Sequence, residues 1–452
     1  MRNVVLLCLD SVRKDVFEAE ASAIHALADV SFEQCRAASS WSAPSHGSMF
    51  TGQLPHKHGV HTYNWDYSTI PAEDTVTADL PESYQTLGVS SNPYACSEFN
   101  FDTFFDVFVD SNPLATASDA AGWRRYVEFL SKTLRGEKPL RNLRYGFLTE
   151  LEKLSPAIPS GYAPLWVARE GLRQIERSSE PHFCFLNFMH AHTPRQYRSE
   201  YHTDSTVPRD WTSRAYDNWD IVLEQTSDAD RHLKNERELY SLSLKYLDER
   251  IASFIRTVLK VSDSETTVIV TADHGENLGY DSEDGLVGHF SSLSEGLLHV
   301  PCLLINPPSG YDKTETDLFS HLQLPELIVG LAANRTPDVF RTEIPAELMG
   351  VGVDDIPAGA DREYWNRVIR AAYTGQSKYV WDSLENTYEY QLDSNRPNWQ
   401  QLVAESVTVP ANLTSMFETD LAEYHDWDLE DQNVAEDLTE DTKANLSDLG
   451  YL

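Results

Sequence analysis

Residues 3–10 read NVVLLCLD. An apolar run rich in Val and Leu, with no polar alternation, describes a strand covered on both faces, as in the middle of a parallel sheet. An acid that ends such a run stands at the carboxyl edge of the sheet, where open α/β folds bind their ligands. Asp10 is therefore a candidate site residue, with a helix cap as the plain alternative.

The same pattern returns along the chain. Residues 87–91 form a short strand that ends at Ser91-Asn92-Pro93, where the Asn92 amide could donate to a bound oxyanion or simply make a turn. Residues 183–189, FCFLNFM, run into His190-Ala191-His192-Thr193-Pro194, and strand alternation predicts that His190 and His192 share one side. Residues 267–271, TVIVT, lead into Asp273-His274-Gly275-Glu276, and residues 300–305, VPCLLI, supply one more apolar strand. Helices are expected over 20–29, 75–84 and 228–260, the last with an apolar stripe through Leu239, Leu242, Tyr246, Leu247 and Ile251. The order predicts an α/β fold, a large, mostly parallel sheet between helices with one active edge. Asp10, Ser42, Asp273 and His274 form an oxygen- and nitrogen-rich set suited to one divalent cation such as Mn, Mg, Ca or Zn.

Ser42 belongs to residues 41–52, WSAPSHGSMFTG. Pro44 suits a first helical turn, where its missing amide hydrogen costs nothing, and Ser42 lies where that turn's free N–H groups point. An anion beside Ser42 would meet those donors and the positive end of the helix dipole. Downstream, His56, His58 and His61 fall on a Pro- and Gly-containing loop that gives no fixed face for convergent metal ligands, so packing is the expected role.

Residues 1–350 read as the catalytic domain, with a helical insertion near the site over about 112–181, including helices at 123–134 and 141–154. Residues 351–452 read as a small subdomain of short antiparallel strands at 367–373, 378–381 and 388–392, followed by an acidic tail. Acidic residues number 71 against 36 basic ones, a net charge of −35, which excludes general affinity for nucleic acid or anionic membrane. Acids recur along the whole chain, as in a salt-adapted, halophilic protein whose self-repulsion is screened at high ionic strength. Five scattered cysteines predict neither a disulfide framework nor a zinc ribbon. The first apolar run is too short for a signal peptide's core, and no run approaches a membrane span, so a cytoplasmic location is expected.

Taken together, the strand into LDSVRKD, the SAPSHGSMFTG stretch, HAHTP, TADHGENLG, the downstream GH and VP, and the small C-terminal sheet resemble the sulfatase branch of the alkaline phosphatase superfamily. The resemblance covers nearly the whole chain in order. It implies that Asp10, Asp273 and His274 are metal ligands and that Ser42 is a nucleophile that also touches the metal. It further implies that His192 serves the leaving-group oxygen, and that His46, Asn92 and His289 occupy substrate-contacting positions. Three departures stand out. Family sulfatases carry C-x-P-S-R with the cysteine oxidised to formylglycine, whereas this chain has Ser42 and His46; the second of the paired aspartates is Ser11; and the lysine after the second strand gives way to a position near Asn92. Formylglycine hydrate expels sulfate by collapsing to an aldehyde, whereas an unmodified serine leaves an ester needing a second attack, which is easier at phosphorus. The expected activity is hydrolysis of a small-molecule or glycan sulfate or phosphate ester. The alternatives are a phosphoglycerol- or phosphoethanolamine-type transferase, or a non-catalytic binding protein on this fold.

Overall fold

The computed structural model describes residues 1–110, 162–178, 181–198, 205–289, 291–352 and 356–424. Fifteen strands are described. The first six are β1 (Asn3–Leu9), β2 (Val30–Arg36), β3 (Gln85–Ser90), β4 (Val107–Asp110), β5 (His182–Phe188) and β6 (Thr266–Thr271). A two-residue pair, β7 (Asn277–Leu278) and β8 (Val287–Gly288), forms a hairpin of its own. Then come β9 (Cys302–Ile305), β10 (Thr314–Ser320), β11 (Glu343–Met349), β12 (Val368–Thr374), β13 (Ser377–Asp382), β14 (Thr387–Leu392) and β15 (Gln400–Glu405).

Eight of these make one sheet in the order β10-β2-β9-β6-β1-β5-β3-β4. β9 alone runs antiparallel to its neighbours, so the sheet is mostly parallel, as the uninterrupted apolar runs require. β1, β5 and β6 are buried at every residue, and β1 lies between the other two. The sheet edge β10, TETDLFS, is polar and partly exposed, which hid it from a search for apolar runs.

The register sets the site. Cys8 pairs with both Asn187 and Thr271, and Ser90 pairs with Asn187. Asp10, Asp273 and Asn92 each lie two residues beyond one of these partners, just past the strand ends, so the register brings them to the same edge of the sheet.

Two predicted helices change shape. Instead of one helix over 20–29 there are two short ones, Lys14–Glu20 and Ser22–His25, broken at Ala21, where φ is −94° and ψ is 46°. The helix expected over 75–84 covers only Val76–Asp79, because Pro81 drives Leu80 into extended geometry. The long helix is Ala229–Val261, with Leu239, Leu247 and Ile251 buried. The expected helices at 123–134 and 141–154 lie outside the described residues, as does most of the acidic tail.

The second sheet is antiparallel, ordered β11-β12-β13-β14-β15, two strands larger than the sequence patterns indicated. Its first strand precedes residue 350. A buried polar cluster ties it to the large sheet: Glu295 forms an ion pair with Arg36 Nε at 2.9 Å and accepts from Tyr373 Oη at 2.6 Å and from Lys378 Nζ at 3.1 Å. Arg36 and Lys378 hold the Glu295 carboxyl down at about 2 despite its burial.

Candidate active site

Ser42 begins the helix Ser42–Thr51, directly after Trp41 in extended geometry, and the helix ends at Gly52 with φ 69°. Ser42 is the first helical residue, and Trp41 holds the cap position without a side-chain bond. Ser42 Oγ instead lies 2.9 Å from Asn92 Nδ2, 3.3 Å from His274 Nε2 and 3.4 Å from Asp10 Oδ2. The chain thus brings three sequence-distant residues to one hydroxyl.

Asn92 makes the turn that its Asn-Pro sequence announces. Its Oδ1 accepts the backbone N–H groups of Tyr94 and Ala95, making the turn, and that fixes Nδ2 toward Ser42 and toward Asp10 Oδ2 at 2.5 Å. Around Asp273, Oδ1 accepts from the backbone N–H of Ser11 and of His274, while the buried Oδ2 accepts no hydrogen bond among the described residues. His274 Nδ1 donates to Gly275 O at 2.7 Å, which leaves its Nε2 lone pair directed elsewhere.

This donor set fits a divalent cation. Ligand atoms of Asp10, Asp273 and His274 all lie within 4.8 Å of one another and are buried. Burial and the neighbouring Asp273 push the Asp10 carboxyl up to about 7, the response of two carboxylates sharing a site without a counter-charge. Burial and His289 pull His274 down to about 4, so its ring is neutral, as ligation requires. The backbone carbonyl that orients His274 is the outer support such ligands have. Ser11, which stands where the second aspartate of the family motif would be, bonds Asp10 Oδ1 through its hydroxyl.

His46 sits apart from the hydroxyl. It is fully buried under the helix, with Nδ1 bonded to Ser42 O at 2.8 Å, Nε2 at 3.2 Å from Asn187 Nδ2, and Phe101 and Phe185 packed edge-on to its ring. His192 and His289 lie together, ring centroids 5.5 Å apart, with His289 5.0 Å from His274. His192 Nδ1 donates to Thr193 O at 2.6 Å, and burial with the nearby His289 pulls its pKa down to about 3. His190 and His192 do not share a site: β5 ends at Phe188, the turn that follows breaks the alternation, and the His190 ring packs on Tyr246 at 5.1 Å. His56 bonds Glu347 at 2.7 Å and His58 lies 3.2 Å from Ser48 Oγ, so both pack.

Sequence reading missed Glu276 and Arg195. Glu276 meets His289 Nδ1 at 3.2 Å through Oε1 and Arg195 at 2.9 Å through Oε2, and these two partners hold its carboxyl well below the usual range. Both residues were within reach, since Glu276 is two past His274 and Arg195 follows Pro194, but their partners are remote in sequence.

The sulfatase family model matches residues 2–334. The chain belongs to the sulfatase family. It is thereby an ester hydrolase of the sulfuric or phosphoric ester class. No curated protein matches the sequence significantly. Among solved structures, phosphonate monoester hydrolase SpPMH from Silicibacter pomeroyi is 16% identical, with 86% of this chain and 89% of that chain covered and a TM-score of 0.58. The phosphonate monoester hydrolase of Agrobacterium radiobacter gives the same identity, coverage and score. BT4656, solved with its substrate D-glucosamine-2-N,6-O-disulfate, is 12% identical over 86% of this chain and 91% of that one, with a TM-score of 0.56. At such identities the likeness is one of fold, and it includes the mostly parallel sheet and the separate antiparallel one. No helix among the described residues of this sulfatase-family chain is long and apolar enough to cross a membrane.

The edge that carries Asp273 and His274 is closely packed. A Cβ at Gly275 would lie 2.1 Å from Gly296 O, and the Gly275 N–H donates to Leu297 O at 2.7 Å. Gly275→Ala is expected to cost about 3 kcal/mol, because a backbone segment rather than a flexible side chain must move. Urea unfolding midpoints of the variant and wild type check this.

Proposed function

We propose that this sulfatase-family chain hydrolyses esters of singly charged acids, phosphodiesters or phosphonate monoesters, with unmodified Ser42 as nucleophile. The observation that carries the proposal is the set of partners around Ser42 Oγ: Asn92, His274 and Asp10, with no lysine or arginine among the described residues bonded to Ser42, Asp10 or Asp273. Two carboxylates and one divalent cation leave a centre with little surplus positive charge. That suits a monoanion better than a dianionic phosphate monoester.

Asp10, Asp273 and His274 would hold the cation, with Ser42 Oγ completing its contacts. Bound there, it would lower the serine hydroxyl's pKa and offset charge on the transferred group. Ser42 Oγ gives up its proton as it attacks phosphorus, the ester oxygen leaves as the alcohol, and water later cleaves the serine-bound phosphate diester or phosphonate ester. Asn92 Nδ2 and the N-terminal N–H groups of the Ser42 helix face the transferred oxyanion. His192 and His289 flank the leaving oxygen, which takes up a proton as it departs. Glu276, ionised and bonded to His289 Nδ1, is placed to stabilise positive charge on that ring. His46 supports the Ser42 carbonyl from below and is a positioning residue in this reading, not a substrate contact.

The test combines rates with chemistry: 4-nitrophenyl sulfate, phosphate, methylphosphonate and a bis-ester are assayed with Mn, Mg, Ca and Zn at high salt, together with the mass of the peptide containing Ser42. Turnover of the sulfate alone, or a formylglycine mass at position 42, would overturn the proposal. Release of acid only after an alcohol is added would favour the transferase instead. We also infer salt adaptation from the net charge of −35, and expect the thermal midpoint to rise steadily as KCl replaces a dilute buffer.

A further inference from the structure

Residues 183–188 of β5 read FCFLNF, and all are buried. Asn187 is the one amide in this apolar run, paired in register with Cys8 of β1 and Ser90 of β3. Its Oδ1 has no hydrogen-bond partner among the described residues. A leucine of the same branched shape would fill the position without an unmet acceptor, so the amide is explained by its other end.

That end meets His46. Asn187 Nδ2 lies 3.2 Å from His46 Nε2, and His46 Nδ1 lies 2.8 Å from Ser42 O. A backbone carbonyl only accepts, so Nδ1 carries the ring hydrogen; an amide nitrogen only donates, so Nε2 presents its lone pair. Both bonds demand the same tautomer. They form one chain, from Asn187 Nδ2 to His46 Nε2 and from His46 Nδ1 to the carbonyl of Ser42.

The apolar surroundings of the ring cannot make this choice. Phe101 and Phe185 pack edge-on to it, with centroids at 5.7 and 5.8 Å. Phenyl walls hold the plane of a ring but do not tell nitrogen from carbon, so they equally admit the ring turned over by half a turn. The Asn187 donor at one end and the Ser42 carbonyl at the other admit one orientation. His46 also lies four residues after Ser42 in the helix, where side chains lean back over the preceding turn, so its ring reaches that carbonyl. The arginine that the family motif has at this position offers only donors and would oppose the Asn187 donor, whereas histidine supplies the acceptor.

We propose that Asn187 is a positioning residue, which fixes the tautomer and orientation of His46 and, through that ring, the Ser42 carbonyl and the hydroxyl of the same residue. The Asn187 side chain is bonded to none of Asp10, Asp273, His274 or Ser42 Oγ, so it acts through His46. The proposal rests on the Ser42 reading above for its effect on rate, and on the hydrogen bonds alone for its effect on His46.

The test has two arms, both on the full chain at high salt. Asn187→Leu keeps the branched shape and removes the donor. Its kcat on the best ester is expected to fall about tenfold with KM within about twofold of wild type, since a displaced nucleophile reacts more slowly while the substrate contacts stay. The urea midpoint should hold level or rise, because the unmet Oδ1 is removed too; a merely structural role would lower stability and rate together. Once the ring is gone there is nothing left to position, so adding Asn187→Leu to His46→Leu should change kcat by less than about twofold. The second arm needs no turnover: in NMR of protein with isotopically labelled histidine, the ring signals lost in His46→Leu should show hydrogen on Nδ1 and a bare Nε2. In Asn187→Leu that Nδ1 hydrogen should exchange with water about tenfold faster. Hydrogen on Nε2 in wild type, unchanged kcat or Nδ1 exchange in Asn187→Leu, a midpoint that falls with the rate, or an equal loss of rate with and without the His46 ring overturns the proposal. The assigned tautomer and the faster exchange, found without turnover of any ester, would support the Asn187 assignment and count against the reading of Ser42 as a nucleophile.

Discussion

Ser42→Ala is expected to lower kcat/KM on the best ester by on the order of 10⁴-fold, because it removes the attacking atom and no other hydroxyl can replace it. The nearest serines are committed elsewhere: Ser45 Oγ donates to Ser39 O at 3.0 Å, and Ser11 Oγ donates to Asp10 Oδ1 at 3.0 Å. The helix should tolerate the change, since Trp41 rather than Ser42 holds the cap position and alanine is the best helix former. A folded, inactive variant is therefore the expected pairing, checked by steady-state rates beside an unfolding curve. Acid quenching of wild type during turnover should trap the substrate's phosphoryl-ester or phosphonyl group on the peptide containing residue 42, and the variant should trap none. Activity within tenfold of wild type would remove Ser42 from the mechanism.

The second large effect concerns the cation. Dialysis against a chelator is expected to abolish turnover, and one or more of Mn, Mg, Ca and Zn should restore it. Asp273→Asn should not be restored by any of them, because it removes half of the carboxylate charge that balances the ion. The pH dependence carries a sign. Asp10 is raised from 3.8 to about 7 by burial and Asp273. For an acid raised in this way, the folded, metal-free protein binds more protons than the unfolded chain across that window. Its contribution to stability is therefore full below the lower value and is lost as pH rises through about 7. A divalent cation replaces the missing proton, so the thermal shift produced by metal should grow between acidic and neutral pH and be largely absent in Asp10→Asn. A metal shift that is independent of pH, or retained in full by Asp10→Asn, would place the ion elsewhere.

Much of the site was legible because its residues sit at a feature that sequence shows well. Asp10, Asn92 and Asp273 each follow an apolar run, and a run buried on both faces announces a central strand and hence its carboxyl edge. Glu276, Arg195, Asn187 and Cys8 were less visible, since their significance lies in partners remote along the chain. His190 and His192 show the limit of local periodicity. Alternation holds only while the strand lasts, and β5 ends before either histidine is reached.

The sequence by itself determined the apolar strands β1, β3, β5, β6 and β9 of the large sheet, the helix at Ser42, the acidic character and the family, because these depend on local composition, periodicity and motif order. Only the tertiary structure decided which atoms meet. It turned His46 under the helix, although the motif places it in a substrate-contacting position, because its ring nitrogens find Ser42 O and Asn187 there. It set Asn92 on Ser42 and joined Glu276 to His289 and Arg195. Hydrogen bonding depends on distance and direction among residues far apart in the chain, and that information exists only once the sheet register has been set.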